Sequence, residues 1–117
     1  MTKPTKTYKP LSIIVVPFPF TDKEKTKRRP ALVLSNEIHQ DETGHITLAM
    51  ITSAKNSLWP NDHQITSMKD TGLYSPSVVR QKIFTIDARL IIECIGHLTG
   101  ADKKKVGALL EQHLSLS

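Results

Sequence analysis

A small, mainly antiparallel β-barrel with one C-terminal helix is the fold this sequence predicts, and three observations carry the expectation. Short runs of β-branched and apolar residues recur along most of the chain, punctuated by clusters of Pro, Gly, Asn and Asp, the pattern of brief strands joined by tight connections. Only the last segment changes period, with Val106, Leu109, Leu110, His113 and Leu114 on one helical face. Strands and helices do not alternate as βαβ units would require. At 117 residues the chain has room for one core. That single domain is expected over residues 11–117, behind a flexible or extended lead-in over 1–10 that carries Pro4, Pro10, Lys3, Lys6 and Lys9.

Residues 12–16 are rich in β-branched side chains and predict the first strand, stopped by Pro17-Phe18-Pro19-Phe20 because each proline removes a ladder donor. Residues 21–29 hold Lys23, Lys25, Lys27, Arg28 and Arg29 against Asp22 and Glu24 and read as an exposed hairpin loop. Pro30 disfavours the helical conformation at Arg29, so that arginine is held extended at the start of the next strand, 31–35. Residues 36–44 are polar and turn-like. Ile46, Leu48 and Met50 then alternate with Thr47 and Ala49 along a strand ending near Thr52. Trp59-Pro60-Asn61-Asp62 is a turn, 63–66 a short strand, and 67–71 a helical turn stopped by Gly72. Two β-rich runs follow, 77–86 and 90–98, divided by a turn at 87–89. Thr99-x-x-Asp102 offers a capping-box-like start to the final helix.

Sixteen Lys and Arg against eleven Asp and Glu leave a formal charge of +5, which points to a polyanionic partner, since cations gain affinity for phosphates by releasing condensed counterions. The apolar runs are too short to cross a bilayer, and no small-residue cleavage pattern follows the amino-terminal lysines, so a cytoplasmic protein is expected. The single cysteine, Cys94, lies among Ile91, Ile92 and Ile95 and reads as a small buried hydrophobe rather than a catalytic thiol. The five histidines show no ligand spacing, so neither metal nor other cofactor is expected.

Strand-anchored arginines, Arg29 and Arg80, with the strand-end hydroxyls of Thr52 and Ser53, form a set able to bind a phosphodiester from several sides. Cleaving RNA without a metal needs a base for the ribose 2′-hydroxyl, a cation or donors for the crowded phosphorane, and an acid for the leaving oxygen. Glu24 is the nearest candidate base, with His39, His45 and His63 as alternatives.

These residues lie within a longer series that resembles the MazF/PemK family of type II toxin–antitoxin toxins. The series runs through Ile13-Ile14-Val15-Val16-Pro17-Phe18-Pro19-Phe20-Thr21-Asp22, Lys27-Arg28-Arg29-Pro30-Ala31-Leu32-Val33-Leu34-Ser35, Ile51-Thr52-Ser53, Pro76-Ser77-Val78-Val79-Arg80 and Ile95-Gly96-His97-Leu98-Thr99. The resemblance implies an SH3-like barrel, a homodimer, and a metal-independent endoribonuclease of single-stranded RNA that a cognate antitoxin blocks. It assigns Arg29 to phosphate stabilisation and proton donation, Thr52 to holding the scissile phosphate, and Glu24 to a loop where some members carry an assisting acid. Arg28, Ser53, Arg80 and Lys82 are the expected RNA contacts. The chain departs from the pattern twice: Leu11-Ser12 stand where Gly-Asp is frequent, and Arg80-Gln81-Lys82 lacks the carboxylate found there in several members.

Structural readings stand beside these. Arg80 can instead pair with a carboxylate at the core edge, and Trp59 and Tyr74 can stack on bases or pack at a core or dimer surface. The competing function is a non-catalytic barrel that binds nucleic acid or a partner protein such as a gyrase.

Overall fold

The computed structural model describes residues 6–18, 27–56 and 58–116. Six strands form one antiparallel sheet in the order β4-β5-β3-β2-β1-β6, curled into a half-barrel. They are β1 (Ser12–Phe18), β2 (Lys27–Val33), β3 (His45–Ser53), β4 (His63–Gln64), β5 (Ser77–Asp87) and β6 (Glu93–His97). Two helices, α1 (Glu37–Thr43) and α2 (Gly100–Leu114), and a 3-10 turn at Ala88–Leu90 complete the described residues.

Strand alternation divides the apolar residues between the two faces of the sheet. Ile13, Leu32, Ala49, Ile51 and Val79 share one face and pack with Ile65, Leu98 and Val106. Ile14, Val16, Ala31, Val33, Ile46, Leu48 and Ile86 share the other, joined by Ala88 and flanked by Tyr8, Phe84 and Ile91. A mostly β fold with a C-terminal helix is therefore what the chain adopts, and several element boundaries differ from expectation.

β1 does not stop at Pro17 but pairs through it, Pro17 opposite Arg28 and Phe18 opposite Lys27. The reason is directional. Ile92 N–H donates to Val15 O (2.8 Å), so Val15, and with it Pro17 two residues on, turns its backbone polar groups toward β6. The β1–β6 ladder ends at Val15 and Glu93, so the donor that Pro17 lacks has no partner to miss. Lys27, Arg28 and Arg29 accordingly lie in β2 rather than in a loop.

Residues 36–44, read as a turn, contain the short helix α1. Asn36 caps it by accepting from His39 N–H (2.8 Å), and Gly44 ends it at φ 72. Its buried residue is Gln40, whose amide donates to Tyr8 O (2.8 Å) and Ser35 O (3.0 Å) while accepting from Tyr8 N–H (2.8 Å). Those bonds hold the segment before β1 in an extended path. Residues 67–71 form no helix but a turn, Thr71 N–H donating to Met68 O (3.2 Å). Gly72 and Gly96 meet there: a Cβ on Gly72 would sit 2.3 Å from Ile95 O, and one on Gly96 2.3 Å from Asp70 O. Leu11 adopts φ 70, a left-handed conformation that favours glycine over a side chain such as leucine. Cys94 is exposed on the sheet's last strand, not buried.

The expected capping box at Thr99 does not form, because Thr99 makes no side-chain cap bond and Asp102 is used elsewhere. Asp102 is fully buried, and Oδ1 accepts from His63 Nε2 (2.7 Å), Thr66 N–H (2.9 Å) and the Thr66 hydroxyl (2.9 Å), while Oδ2 accepts from Ser67 N–H (2.9 Å). On the predicted apolar face, Val106 is buried, but His113 and Leu114 are exposed. α2 is thus fastened to the sheet as much by a carboxylate as by an apolar stripe.

Burial opposes ionisation of Asp102, yet the bonds from Thr66, Ser67 and His63 outweigh it and hold the carboxyl down to about 2. Because the folded state lowers this value from 3.8, the stabilisation is complete above that pH and is lost as pH falls toward about 2. Urea unfolding followed across this window will show wild-type stability falling more steeply with acid than that of Asp102→Asn. At pH 7, Asp102→Ala is expected to lose about 3–5 kcal/mol.

Candidate functional site

Pro30 opens the site. Leu34 N–H donates to Thr47 O (2.9 Å), so alternate residues of β2, Leu32 and Pro30 among them, turn their N–H side toward β3. At Pro30 there is no N–H to donate, and the β2–β3 ladder ends one residue later in the chain, at Ala31 opposite Met50. Continuing the same register past that point carries Arg29 to a place directly across from Thr52. The two strands part there, and both side chains project to the face that carries Val16, Ala31 and Leu48.

Arg29 is exposed, its guanidinium carbon 5.8 Å from the centroid of the Phe18 ring. Thr52 is half-buried, and its hydroxyl accepts from Asn56 Nδ2 (2.6 Å), which orients it from the turn after β3. Ser53 Oγ accepts from Lys55 N–H (3.2 Å) in the same turn. Arg28 and Ser53 have the opposite parity and face a groove of about 470 Å³, floored by Val15, Pro30, Ile51, Leu73 and Ile95 and bordered by Tyr74. Arg29 and Thr52, although of the other strand parity, also line this groove, so all four residues meet at its rim where β2 and β3 part.

Arg80, expected at the RNA, is committed to an ion pair. Its Nε and Nη2 donate to Asp62 Oδ1 (3.2 Å) and Oδ2 (2.9 Å), with the side chains 9% and 4% exposed. Its guanidinium also lies 4.9 Å from the centroid of the Trp59 ring. The structural reading of Arg80 is the one the geometry favours. Lys82 is exposed within a bulge where β5 has Gln81 and Lys82 extra, between Arg80 opposite Met50 and Ile83 opposite Ala49, and it does not line the groove.

Glu24 lies outside the described residues. The alternative bases are not brought to Arg29 and Thr52: His39 is on α1, His45 begins β3 at the end away from Thr52, and His63 is bonded to Asp102. Two groups escaped the sequence reading. Asn56 gave no signal beyond a polar turn. Glu93 lies in the groove, paired with Val15 on the face of Pro30, and its only mark in the sequence is a carboxylate inside an isoleucine-rich run. Among the described residues, no group of three or more His, Cys, Asp or Glu gathers to hold a metal ion.

A curled antiparallel sheet with a C-terminal helix, and an exposed arginine across from a threonine where two strands part, define a small half-barrel with a cationic groove at one end. The family model described as PemK-like, MazF-like toxin of type II toxin–antitoxin system matches residues 9–114, and the chain belongs to that family. Among solved structures, a MazE–MazF complex from Deinococcus radiodurans is 23% identical, covering 96% of this chain and 100% of that one at a TM-score of 0.74. The Mycobacterium tuberculosis toxin MazF-mt6 is 22% identical over 91% of this chain and 98% of its own, at 0.67. An endoribonuclease in complex with its cognate antitoxin, from a mycobacterial species, is 17% identical over 94% and 97%, at 0.73. Among curated protein sequences the chain has no match.

The Asp62–Arg80 pair yields a test of its structural role. Asp62→Ala leaves a nearly buried guanidinium without its carboxylate and is expected to cost about 3–5 kcal/mol in urea unfolding. Removing both charges, in Asp62→Leu with Arg80→Met, should recover part of that loss.

Proposed function

We propose that this toxin is an endoribonuclease that cuts single-stranded RNA without a metal and is neutralised by a cognate antitoxin. The observation that carries the reading is the register that sets Arg29 across from Thr52 where β2 and β3 part, in a chain of this family. RNA suits such a site because its own 2′-hydroxyl is the nucleophile.

In this scheme a base removes the 2′-hydroxyl proton, the 2′ oxygen bonds to phosphorus, and the bond from phosphorus to the 5′ oxygen breaks. The products are a 2′,3′-cyclic phosphate and a 5′-hydroxyl. Glu24 is the proposed base. Arg29 stabilises the phosphorane by charge and by its planar array of donors; because a guanidinium keeps its proton, the leaving oxygen is protonated from water rather than by Arg29. Thr52, aligned by Asn56, hydrogen-bonds the scissile phosphate. Arg28 and Ser53, which line the same groove as Arg29 and Thr52, are proposed to hold the RNA beside the scissile phosphate.

The net charge of +5 suits both RNA and an antitoxin with an acidic tail. A homodimer is proposed as the working form, supported by the apolar groove floor and by fully exposed Tyr74 at its border. No described helix is long and apolar enough to cross a membrane, and a cytoplasmic site of action fits an RNA substrate.

Purified protein assayed on a long RNA in EDTA tests the scheme. Wild type should cut and leave cyclic phosphate ends; Arg29→Ala should lose about 100-fold or more in rate and Thr52→Ala about 10-fold. Full activity in both variants would remove the site assignment. Binding that weakens steeply with salt but yields no product would instead favour a non-catalytic barrel.

A further inference from the structure

Trp59, the chain's single tryptophan, belongs to the same end of the molecule but has no part in the chemistry proposed above. It is 43% exposed, next to Leu58, which is 72% exposed. The turn that carries it is closed at both ends: Asp62 N–H donates to Trp59 O (3.1 Å), and Trp59 N–H donates to Asp62 Oδ2 (2.9 Å). The same carboxylate holds Arg80, whose guanidinium stacks on the indole at 4.9 Å. An indole backed by a cation and fixed by its own turn is a rigid flat platform rather than a loose surface side chain.

Its position gives the platform a direction. Arg80 pairs with Met50, so it faces the same side of the sheet as Arg29 and Thr52. Thr52 pairs with Val78, two residues before Arg80, which makes Arg80 its diagonal neighbour. Arg29 on β2 and Arg80 on β5 are separated by β3 alone, two strand spacings and a two-residue offset, or somewhat more than about 10 Å where β2 and β3 part. A single-stranded RNA chain whose phosphate lies between Arg29 and Thr52 therefore has an aromatic surface within reach of an adjacent base. Bases of a single strand present free π faces, and stacking on aromatics is the common way such strands are held.

We infer that Trp59 is a base-stacking residue for a nucleotide beside the scissile phosphate, and that Asp62 and Arg80 are its positioning residues. The inference rests on the nuclease reading. It also gives Arg80 a role in substrate recognition through Trp59 rather than by direct phosphate contact.

Because the chain has one tryptophan, its emission reports on this site alone. The probe is a mixed-sequence pool of 2′-O-methyl RNA dodecamers, in which the attacking hydroxyl is blocked. Titration of the full chain should change Trp59 emission saturably, with the midpoint seen by gel shift. Trp59→Ala should bind the pool about 10-fold more weakly and, on cleavable RNA, raise KM by a similar factor with kcat within about threefold; Trp59→Phe, which keeps a flat ring, should stay within about threefold of wild type. If the pool binds while emission is unchanged, or if Trp59→Ala binds as wild type does, the stacking role is overturned and the nuclease reading stands. Absence of both binding and cleavage would overturn the two together. Emission that responds to the antitoxin but not to RNA would make this a protein-docking surface and overturn the inference.

Discussion

A missing hydrogen in the backbone shapes this molecule's working end. Pro30 sits in β2 with its nitrogen turned toward β3, and because it cannot donate, the ladder between the two strands stops at Ala31 and Met50. Had the ladder continued, Arg29 and Thr52 would face each other across a closed sheet, with less room between them for a phosphate. The proline also keeps Arg29 extended. One residue thus separates the strands and aims the cation, while β1 on the other side still holds β2 in register from Lys27 to Leu32.

Charged groups divide between structure and site in a way that follows from their burial. Asp102 and Arg80 are enclosed and fully engaged: one joins α2 to the segment after β4, and the other joins β5 to the turn at Trp59. Removing either partner of such a contact leaves a desolvated charge, so these residues are bound to the fold. Lys27, Arg28 and Arg29 are exposed, so their charges remain hydrated and open to ligands. Such exposed charge acts at long range on a charged partner, whereas the enclosed charges act only on their neighbours in the fold.

The strands were legible because their alternation is a property of neighbouring residues, and the pairing of Arg29 with Pro30 was legible because proline acts on the residue before it. What escaped depended on distant partners. Asp102 looks like a capping residue until His63, Thr66 and Ser67 are seen to surround it. Arg80 looks like an RNA contact until Asp62 is found beside it. α1 was missed for a different reason: it is one short helix that buries an amide rather than an apolar stripe, so only its end signals, Asn36 and Gly44, were available. Cys94 was misjudged because an apolar run on the sheet's edge need not be buried. The opposition of Arg29 and Thr52 followed from the register of two strands far apart in sequence, which neither strand specifies alone.

The bulge in β5 has a bearing on how chain length can vary in this fold. Between Arg80 and Ile83 the strand spends two residues more than β3 does between Met50 and Ala49. Two is an even number, so Ile86 still points to the same face as Arg80, and the apolar residues on either side of the bulge keep their places. A single inserted or deleted residue that no further irregularity absorbed would invert everything on one side of it, exchanging core for surface along half the longest strand. Length changes in pairs therefore preserve the faces without further adjustment, whereas an odd change needs a local irregularity such as the one-residue bulge at Ile95 in β6.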